Sequence, residues 1–135
     1  MKELTLPATL ENISEVIAFI DAELEAVDCG IKAQTQIDVA VDELFGNIVH
    51  YAYAPDTGEA TVRFDFDEET RTARIDLIDS GIPFDPLAQA DPDVTSSAEE
   101  RKIGGLGIFL AKKTMDNLRY ERVDGRNILH IQKKI

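Results

Sequence analysis

Hydrophobic residues recur along the chain at two different periods. In the first part of the chain they fall every three or four positions, the spacing of a helix with one apolar face. One such stripe covers residues 13–27 and ends before Gly30, and a second covers residues 37–52 and is stopped by Pro55. The spacing therefore predicts two consecutive helices.

The period changes to two in the middle of the chain. Apolar and polar residues alternate over 60–67, as expected of a strand with one buried face. After a polar turn, a partner strand places Ala73, Ile75 and Leu77 on its inner face, so the two strands are predicted to form a hairpin. A short edge strand is expected at residues 4–7.

Helical spacing returns between Leu106 and Met115, and a second hairpin turns at Asp124-Gly125, between strands near 118–123 and 127–133. An antiparallel sheet with its helices gathered on one face is the simplest way to bury these stripes. The predicted fold class is therefore α+β, a two-layer sandwich with a mixed or mostly antiparallel sheet. All 135 residues are expected to form one domain.

Residues 86–103 separate the two hairpins and have no apolar period. They include Pro86 and Pro92, and most of the remaining residues are small or charged. Loops of this length within a compact domain are uncommon and often serve as active-site lids. We interpret the segment as a mobile lid, with an irregular loop of no function as the alternative.

The composition is strongly acidic, with 26 Asp and Glu residues against 14 Lys and Arg and a formal charge of -12. This charge repels nucleic-acid phosphates and anionic lipids, so neither is an expected partner. The apolar runs are too short for a membrane span and the first residues show no signal-peptide pattern, so a cytoplasmic protein is expected. The single cysteine, Cys29, is interpreted as a small packing residue.

The second predicted helix carries three polar residues that could serve chemistry. Glu43 and Asn47 are four positions apart and His50 is seven from Glu43, so all three are predicted on one face, opposite the apolar stripe. A solvated helix face is the alternative. Gly46 weighs slightly against that alternative, because a mid-helix glycine costs about 1 kcal/mol relative to alanine, a cost that is easier to understand if something must approach its backbone closely.

The second strand of the first hairpin ends in a carboxylate. Alternation places Asp79 on the same face as Ile75 and Leu77, so its side chain should point into the apolar layer, where it needs a hydrogen-bond donor. An adenine amino group is one such donor, and Gly81 followed by Pro83 could let a flat ring pack against the backbone. The alternative is an aspartate that caps its own turn.

Glycines open the third predicted helix at Gly104-Gly105-Leu106-Gly107. The free N–H groups and the dipole at a helix N-terminus favour an anion such as phosphate. Arg101 and Lys102 lie close by in sequence. A flexible hinge would show the same glycines, so the cluster gains weight only together with the other segments.

The three segments together resemble the GHKL superfamily of ATP-binding domains, named for gyrase, Hsp90, histidine kinases and MutL. DELFGNIVHYAY at 42–53 is similar to the N box, IDSGIPFD at 78–85 to the first glycine box, and GGLGIFL at 104–110 to the second. Within the superfamily, the chain is most similar to the stand-alone anti-sigma factor serine kinases of bacteria. The similarity extends over nearly the whole chain.

The resemblance implies a role for each matching residue. Asn47 would hold Mg²⁺ through its side-chain oxygen, Glu43 would act as general base, and Asp79 would bind the adenine amino group. The glycines of the second box would wrap the phosphates beneath the lid. The residues expected to contact ATP·Mg²⁺ are Asn47, His50, Asp79, Gly81, Pro83, Lys102, Gly104, Gly105, Leu106, Gly107 and Ile108.

The chain departs from the superfamily pattern in two places. Many members have a threonine near the final strand that helps hold adenine, whereas this chain has Gly125-Arg126-Asn127, so that contact is left unassigned. Arg101 and Lys102 align only loosely with the basic residues of the lid. Which of them would meet the γ-phosphate is therefore open.

Three functions follow from this pattern. The first is a protein serine/threonine kinase that phosphorylates a STAS-type anti-anti-sigma partner and binds a sigma factor. The second is a nucleotide-gated binding module with little phosphorylation, in which Glu43 is dispensable. The third, a histidine-kinase catalytic domain acting in trans, is disfavoured because the two histidines, His50 and His130, lie within the domain pattern. The resemblance also suggests a homodimer formed through the sheet.

Overall fold

The computed structural model describes residues 1–53, 56–88 and 105–135. In these residues it contains five strands and three α-helices. The strands are β1 (Lys2–Pro7), β2 (Glu59–Asp67), β3 (Thr72–Asp79), β4 (Asn117–Val123) and β5 (Arg126–Lys134). The helices are α1 (Ile13–Ala26), α2 (Ile31–Asn47) and α3 (Gly105–Thr114). Every predicted helix and strand has its counterpart, with ends displaced by a few residues.

The strands form one sheet in the order β1-β2-β3-β5-β4, and all four neighbouring pairs are antiparallel. This confirms the predicted α+β fold, and the sheet is antiparallel throughout. The order places β3 and β5 side by side at its centre. Their register sets Asp79 directly opposite Asn127, which brings two polar residues together at one end of the sheet.

The core lies between one face of the sheet and the helices. The apolar stripes of α1 and α2 and the inward-facing residues of the strands are almost fully buried. Burial of this apolar surface is the dominant favourable term in folding, at roughly 25 cal/mol per Å². The most deeply buried members include Val16, Ile20, Leu24, Ile37, Val41, Leu44, Phe45, Val62, Ile75, Leu77 and Ile131.

The apolar stripe predicts a regular helix as far as Ala52, but α2 ends as a regular α-helix at Asn47. Residues Ile48–Ala52 form a π-helical turn, a wide turn that is rare and is found frequently at functional sites. The turn carries the carbonyl of Ala52 to the segment after β3, where it accepts a hydrogen bond from the N–H of Ile82 at 2.9 Å. The end of the helix is thereby fastened to the end of the central strand.

The start of the predicted lid belongs to the folded body. Residues Pro86–Ala88 form a short 3-10 helix, and Pro86 is buried. The rest of the lid segment, residues 89–103, lies outside the described residues. Within the described parts of the chain, no helix is long and apolar enough to cross a membrane.

Candidate nucleotide site

A small cavity lies where α2 and the π-helical turn meet the ends of the central strands. Its volume is about 30 Å³, which accommodates about one water molecule. A purine ring needs more room than this, so some of the lining residues must move before such a ring can enter. The lining is mostly apolar, and Asn47, Asp79 and Asn127 carry its amide and carboxylate groups. The lining residues are Leu44, Asn47, Ile48, Ala52, Asp79, Phe84, Pro86, Tyr120, Asn127 and Leu129.

Asp79 lines this cavity and is only 5% exposed. Its side chain points into the apolar layer, as strand alternation predicted. One oxygen, Oδ1, accepts hydrogen bonds from the N–H of Gly81 and from Nδ2 of Asn127, both at 2.9 Å. Among the described residues no donor reaches Oδ2. The turn-capping alternative is therefore present in the structure, and it leaves one carboxylate oxygen available to a ligand.

Gly81 is required where the turn after β3 crosses the end of the π-helical turn. A Cβ atom added at this position would overlap the carbonyl oxygen of Ala52. Because that atom belongs to the backbone, it cannot move aside as a flexible side chain can. Gly81 therefore shapes the cavity by permitting this close approach. Neither Gly81 nor Pro83 lines the cavity, and Pro83 is exposed.

Asn127 is a site residue that the sequence left unassigned. It is 5% exposed and lines the cavity beside Asp79. Its Nδ2 group also donates to the carbonyl of Ile82 at 2.7 Å, and its Oδ1 accepts from the hydroxyl of Tyr120 and from Arg122. A signal was present in the sequence, since an asparagine stood on the inward face of a strand otherwise occupied by Leu129 and Ile131.

Asn47 lines the same cavity from α2. Its Nδ2 atom is buried and has no hydrogen-bond partner among the described residues. A buried amide group without a partner costs free energy, so this atom marks a place where a polar ligand would be stabilising. The predicted face of α2 is therefore partly covered at Asn47, and the alternative of a fully solvated face is wrong there.

Glu43 lies one helical turn before Asn47 and is half-buried. Burial raises the pKa of its carboxyl above the ordinary value, and the nearby charge of Asp42 raises it further, while His50 acts in the opposite direction. His50 itself is exposed in the π-helical turn and does not line the cavity. Of the three residues predicted on one face, only Asn47 reaches the cavity.

Helix α3 packs against the carboxyl group of Glu43. A Cβ atom added at Gly107 would overlap the Glu43 side chain, so glycine makes this contact possible. Helix α3 begins at Gly105, as the glycine cluster predicted. Ile108, in the next position, is a buried core residue and can offer a ligand only its backbone. Leu106 lies in α3, but its side chain is outside the described part of the structure.

Two predicted phosphate-contacting residues, Lys102 and Gly104, lie outside the described residues, as does Arg101. The close approach suggested by Gly46 is not made by the described part of the chain, because nothing there comes within 4 Å of a Cβ added at that position.

The family model for the histidine kinase-like ATPase domain matches residues 6–133, which is nearly the whole chain. This chain belongs to the histidine kinase-like ATPase family. The GHKL resemblance of the three sequence segments is thereby confirmed.

Curated relatives of this family member include named serine kinases. It is 28% identical over 131 residues to the serine-protein kinase RsbW of Listeria monocytogenes, covering 93% of this chain and 82% of that protein. It is 29% identical over 93 residues to the serine/threonine-protein kinase BtrW of Bordetella bronchiseptica, covering 69% of this chain. That match spans 65% of the length of BtrW.

Solved structures share the family fold. The SiaB-SiaC complex of Pseudomonas aeruginosa matches with a TM-score of 0.63 at 18% identity, over all of this chain and 90% of that one. The histidine kinase domain of the blue-light activated histidine kinase EL346 from Erythrobacter litoralis matches with a TM-score of 0.56 at 15% identity, over 90% of this chain and 60% of that one. At these identities the likeness concerns the fold.

The cavity residues of this ATPase-family chain are compatible with a metal that a nucleotide brings with it. The described residues contain no cluster of three or more His, Cys, Asp or Glu side chains that could hold a metal ion. Mg²⁺ commonly binds through one or two protein groups together with substrate phosphates and water. Rotation of the Asn47 amide by 180° would place its oxygen where the unpartnered Nδ2 now lies, so Asn47 fits such a role.

Proposed function

We propose that this chain is an ATP- and Mg²⁺-dependent protein serine/threonine kinase that acts as an anti-sigma factor. Its substrate would be a STAS-type anti-anti-sigma protein, and phosphorylation of that partner would leave the chain free to bind a sigma factor. The observation that carries the proposal is the half-buried Glu43, with its raised pKa, one helical turn from the cavity-lining Asn47.

The comparisons support the kinase part of the proposal. Relatives matched over about 94% of this chain are named serine-protein kinases, among them RsbW of Bacillus mycoides at 24% identity. A buried aspartate that lines an apolar cavity is suited to an adenine amino group, because the carboxylate accepts the hydrogen bond that the amine donates. Both observations favour ATP as the phosphate donor.

The chain's own residues divide the work of phosphoryl transfer. Asp79 would orient the base, and the backbone at the start of α3 would face the phosphates, since a helix N-terminus attracts anions. Glu43 would accept the proton of the attacking hydroxyl, a task favoured by a pKa raised toward the working pH. Mg²⁺ held by Asn47 would neutralise phosphate charge. Positioning of the reacting groups and charge neutralisation together supply most of the catalysis in phosphoryl transfer.

The direct test is incubation with radiolabelled ATP, Mg²⁺ and a STAS-domain protein from the same genome. The expected result is label on a serine or threonine of the partner, dependent on Mg²⁺. Binding of ATP without any label transfer would contradict the kinase assignment and favour a nucleotide-gated binding module. Failure to bind ATP at all would contradict the site assignment itself.

A further inference from the structure

The hydrogen-bonding capacity of Asn127 is fully used within the chain. A side-chain amide offers two N–H donors and an oxygen with two lone pairs. Both donors are occupied, by Asp79 Oδ1 at 2.9 Å and by the Ile82 carbonyl at 2.7 Å. Both lone pairs are occupied as well, by the Tyr120 hydroxyl and by Arg122 Nη1 at 3.1 Å. Asn127 therefore has no group left for a nucleobase.

The partners of Asn127 are themselves fixed. Arg122 also donates to the carbonyl of Gly81 at 2.7 Å, so the same guanidinium group joins strand β4 to the turn after β3. Tyr120 lies on the same strand and its ring forms part of the cavity wall. Because the asparagine and the aspartate are both nearly excluded from water, these bonds are stronger than their exposed equivalents would be.

The consequence falls on Asp79. Its Oδ1 is held by two donors, so the carboxylate cannot rotate without breaking one of these bonds. Without these bonds, rotation of the carboxylate would spread Oδ2 over several positions. Oδ2 is the oxygen without a donor among the described residues. A carboxylate that is fixed before the ligand arrives binds a single donor at a lower entropic cost than a mobile one.

We propose that Asn127 is a positioning residue for base selection, which fixes Asp79 so that Oδ2 alone faces the 6-amino group of adenine. This rests on the proposed ATP site and adds to it a residue that determines specificity without touching the base. The amine is selected because a carboxylate oxygen can only accept a hydrogen bond, and a purine without the amine leaves that oxygen buried and unpaired.

The test compares two nucleotides that differ by one amino group. Dissociation constants are measured by calorimetry for ATP and for purine riboside 5′-triphosphate, which lacks the 6-amino group. For the wild-type chain we expect ATP to bind about 10-fold to 100-fold more tightly, the value of a hydrogen bond to a charged group. In Asn127→Ala this ratio should fall at least fivefold, mainly through weaker binding of ATP.

Two further variants control the comparison. Asn117→Ala makes the same change at an exposed position at the start of the same hairpin, and it should preserve the wild-type ratio. Tyr120→Phe keeps the ring in the wall and removes only the hydroxyl that donates to Asn127, so the ratio should fall about twofold to fivefold. It carries the test if Asn127→Ala does not fold.

The outcomes separate the two levels of the proposal. An unchanged ratio in folded Asn127→Ala, or in Tyr120→Phe where the alanine variant does not fold, overturns the positioning role. An equal loss of affinity for both nucleotides also overturns it, because this would show only general damage to the wall. A wild-type chain that binds neither nucleotide overturns the ATP site as well, and a wild-type chain that binds both equally overturns amine selection alone.

Discussion

The two sides of the site differ in how their polar groups are satisfied. We call the strand side, with Asp79, Tyr120 and Asn127, the wall, and the side where Glu43 and Asn47 of α2 meet α3 the helix contact. At the wall, Asn127 uses every donor and acceptor that it has, and only one oxygen of Asp79 remains for a ligand. At the helices, Asn47 has a buried amide nitrogen without a partner among the described residues, and the pKa of the Glu43 carboxyl is raised by burial. At the wall only Oδ2 of Asp79 has no partner among the described residues, whereas the helix contact has a buried N–H donor without one.

The difference follows from the elements that carry each region. The wall is built on β3, β4 and β5, whose ladder hydrogen bonds fix the side chains relative to one another. Glu43 and Asn47 instead lie where α2 meets α3 and gives way to a π-helical turn. We therefore expect substitutions at the wall to change nucleotide affinity, and substitutions at the helix contact to change phosphoryl transfer.

The largest expected effect is on phosphoryl transfer in Glu43→Gln. This change keeps the shape of the side chain and removes the proton acceptor, so the transfer rate should fall about 10²-fold to 10⁴-fold. ATP affinity should change less than threefold. Single-turnover transfer to the STAS partner and calorimetric titration with ATP measure the two quantities on the same preparation.

Asp42→Asn is the matched control, because Asp42 is the exposed neighbour of Glu43 on the same helix. It should retain most of the transfer rate. Equal losses in the two variants would show that acidic charge in general, and not the proton acceptor at position 43, supports the reaction.

The next largest effect is expected at the wall, in Gly81→Ala. The added methyl group would overlap the backbone carbonyl of Ala52, and forcing extra atoms into a packed region costs about 1–3 kcal/mol. Stability and ATP affinity should therefore both decrease. Urea unfolding measures the first quantity and calorimetry the second.

Gly46→Ala serves as the stability control for that variant. Nothing in the described chain lies within 4 Å of the added atom, and alanine is favoured over glycine inside a helix by about 1 kcal/mol. The free energy of unfolding should rise or stay the same. A loss in Gly46→Ala as large as that in Gly81→Ala would mean that the packing account of the wall is wrong.

A smaller effect on transfer is expected from Gly107→Ala. Here the added atom would overlap the end of the Glu43 side chain, which can rotate away. The cost in stability should be below about 1 kcal/mol, while displacement of the carboxyl should slow transfer about tenfold. A normal transfer rate in this variant would contradict the role of Glu43 as the proton acceptor.

The smallest effect is expected outside both regions, between α1 and α2. Burial and the neighbouring carboxyl of Asp21, with a smaller effect of Glu25, raise the pKa of Asp38 from 3.8 to about 7. The folded state therefore binds the proton of Asp38 more tightly than the unfolded state does. The resulting contribution to the free energy of unfolding is complete below about pH 4 and is lost as the pH rises through 7.

Asp38→Asn should accordingly flatten the pH dependence of stability between about pH 4 and 7. At pH 8 it should raise the free energy of unfolding by about 1 kcal/mol, a value reduced for the partial exposure of the site. Urea unfolding at pH 4 and at pH 8 measures the free energy of unfolding, with Glu15→Gln on the exposed face of α1 as the control. Unchanged pH dependence in Asp38→Asn would contradict the assignment, and ATP binding should be normal in both variants.

The periodicity of the sequence was sufficient to predict most of the fold. Alternation in the first hairpin correctly placed Asp79 on the inner face of β3, because a strand has only two faces and Ile75 and Leu77 identified the buried one. Helical spacing identified α1 and α2, because apolar residues three or four positions apart lie on one face of a helix. Their ends were less certain, since the stripe continues through the π-helical turn without a break in the pattern.

The candidate site was only partly predictable, because its key contacts join residues distant in sequence. Asn127 meets Asp79 through the register of β3 and β5, which no local pattern encodes. Likewise, Gly107 contacts Glu43 only because α3 packs on α2. His50 was placed with Glu43 by a 3.6-residue period that the wider turn at Ile48–Ala52 replaces.

The most direct test of the ATP site is the dissociation constant of ATP·Mg²⁺ for the wild-type chain and for Asp79→Asn. Asparagine keeps an oxygen that can accept from Gly81 and Asn127, but it replaces Oδ2 with an N–H donor that opposes the adenine amine. We predict saturable binding by the wild-type chain and binding at least tenfold weaker by a folded Asp79→Asn. Equal affinities, or no binding by the wild-type chain at millimolar ATP, would contradict the account.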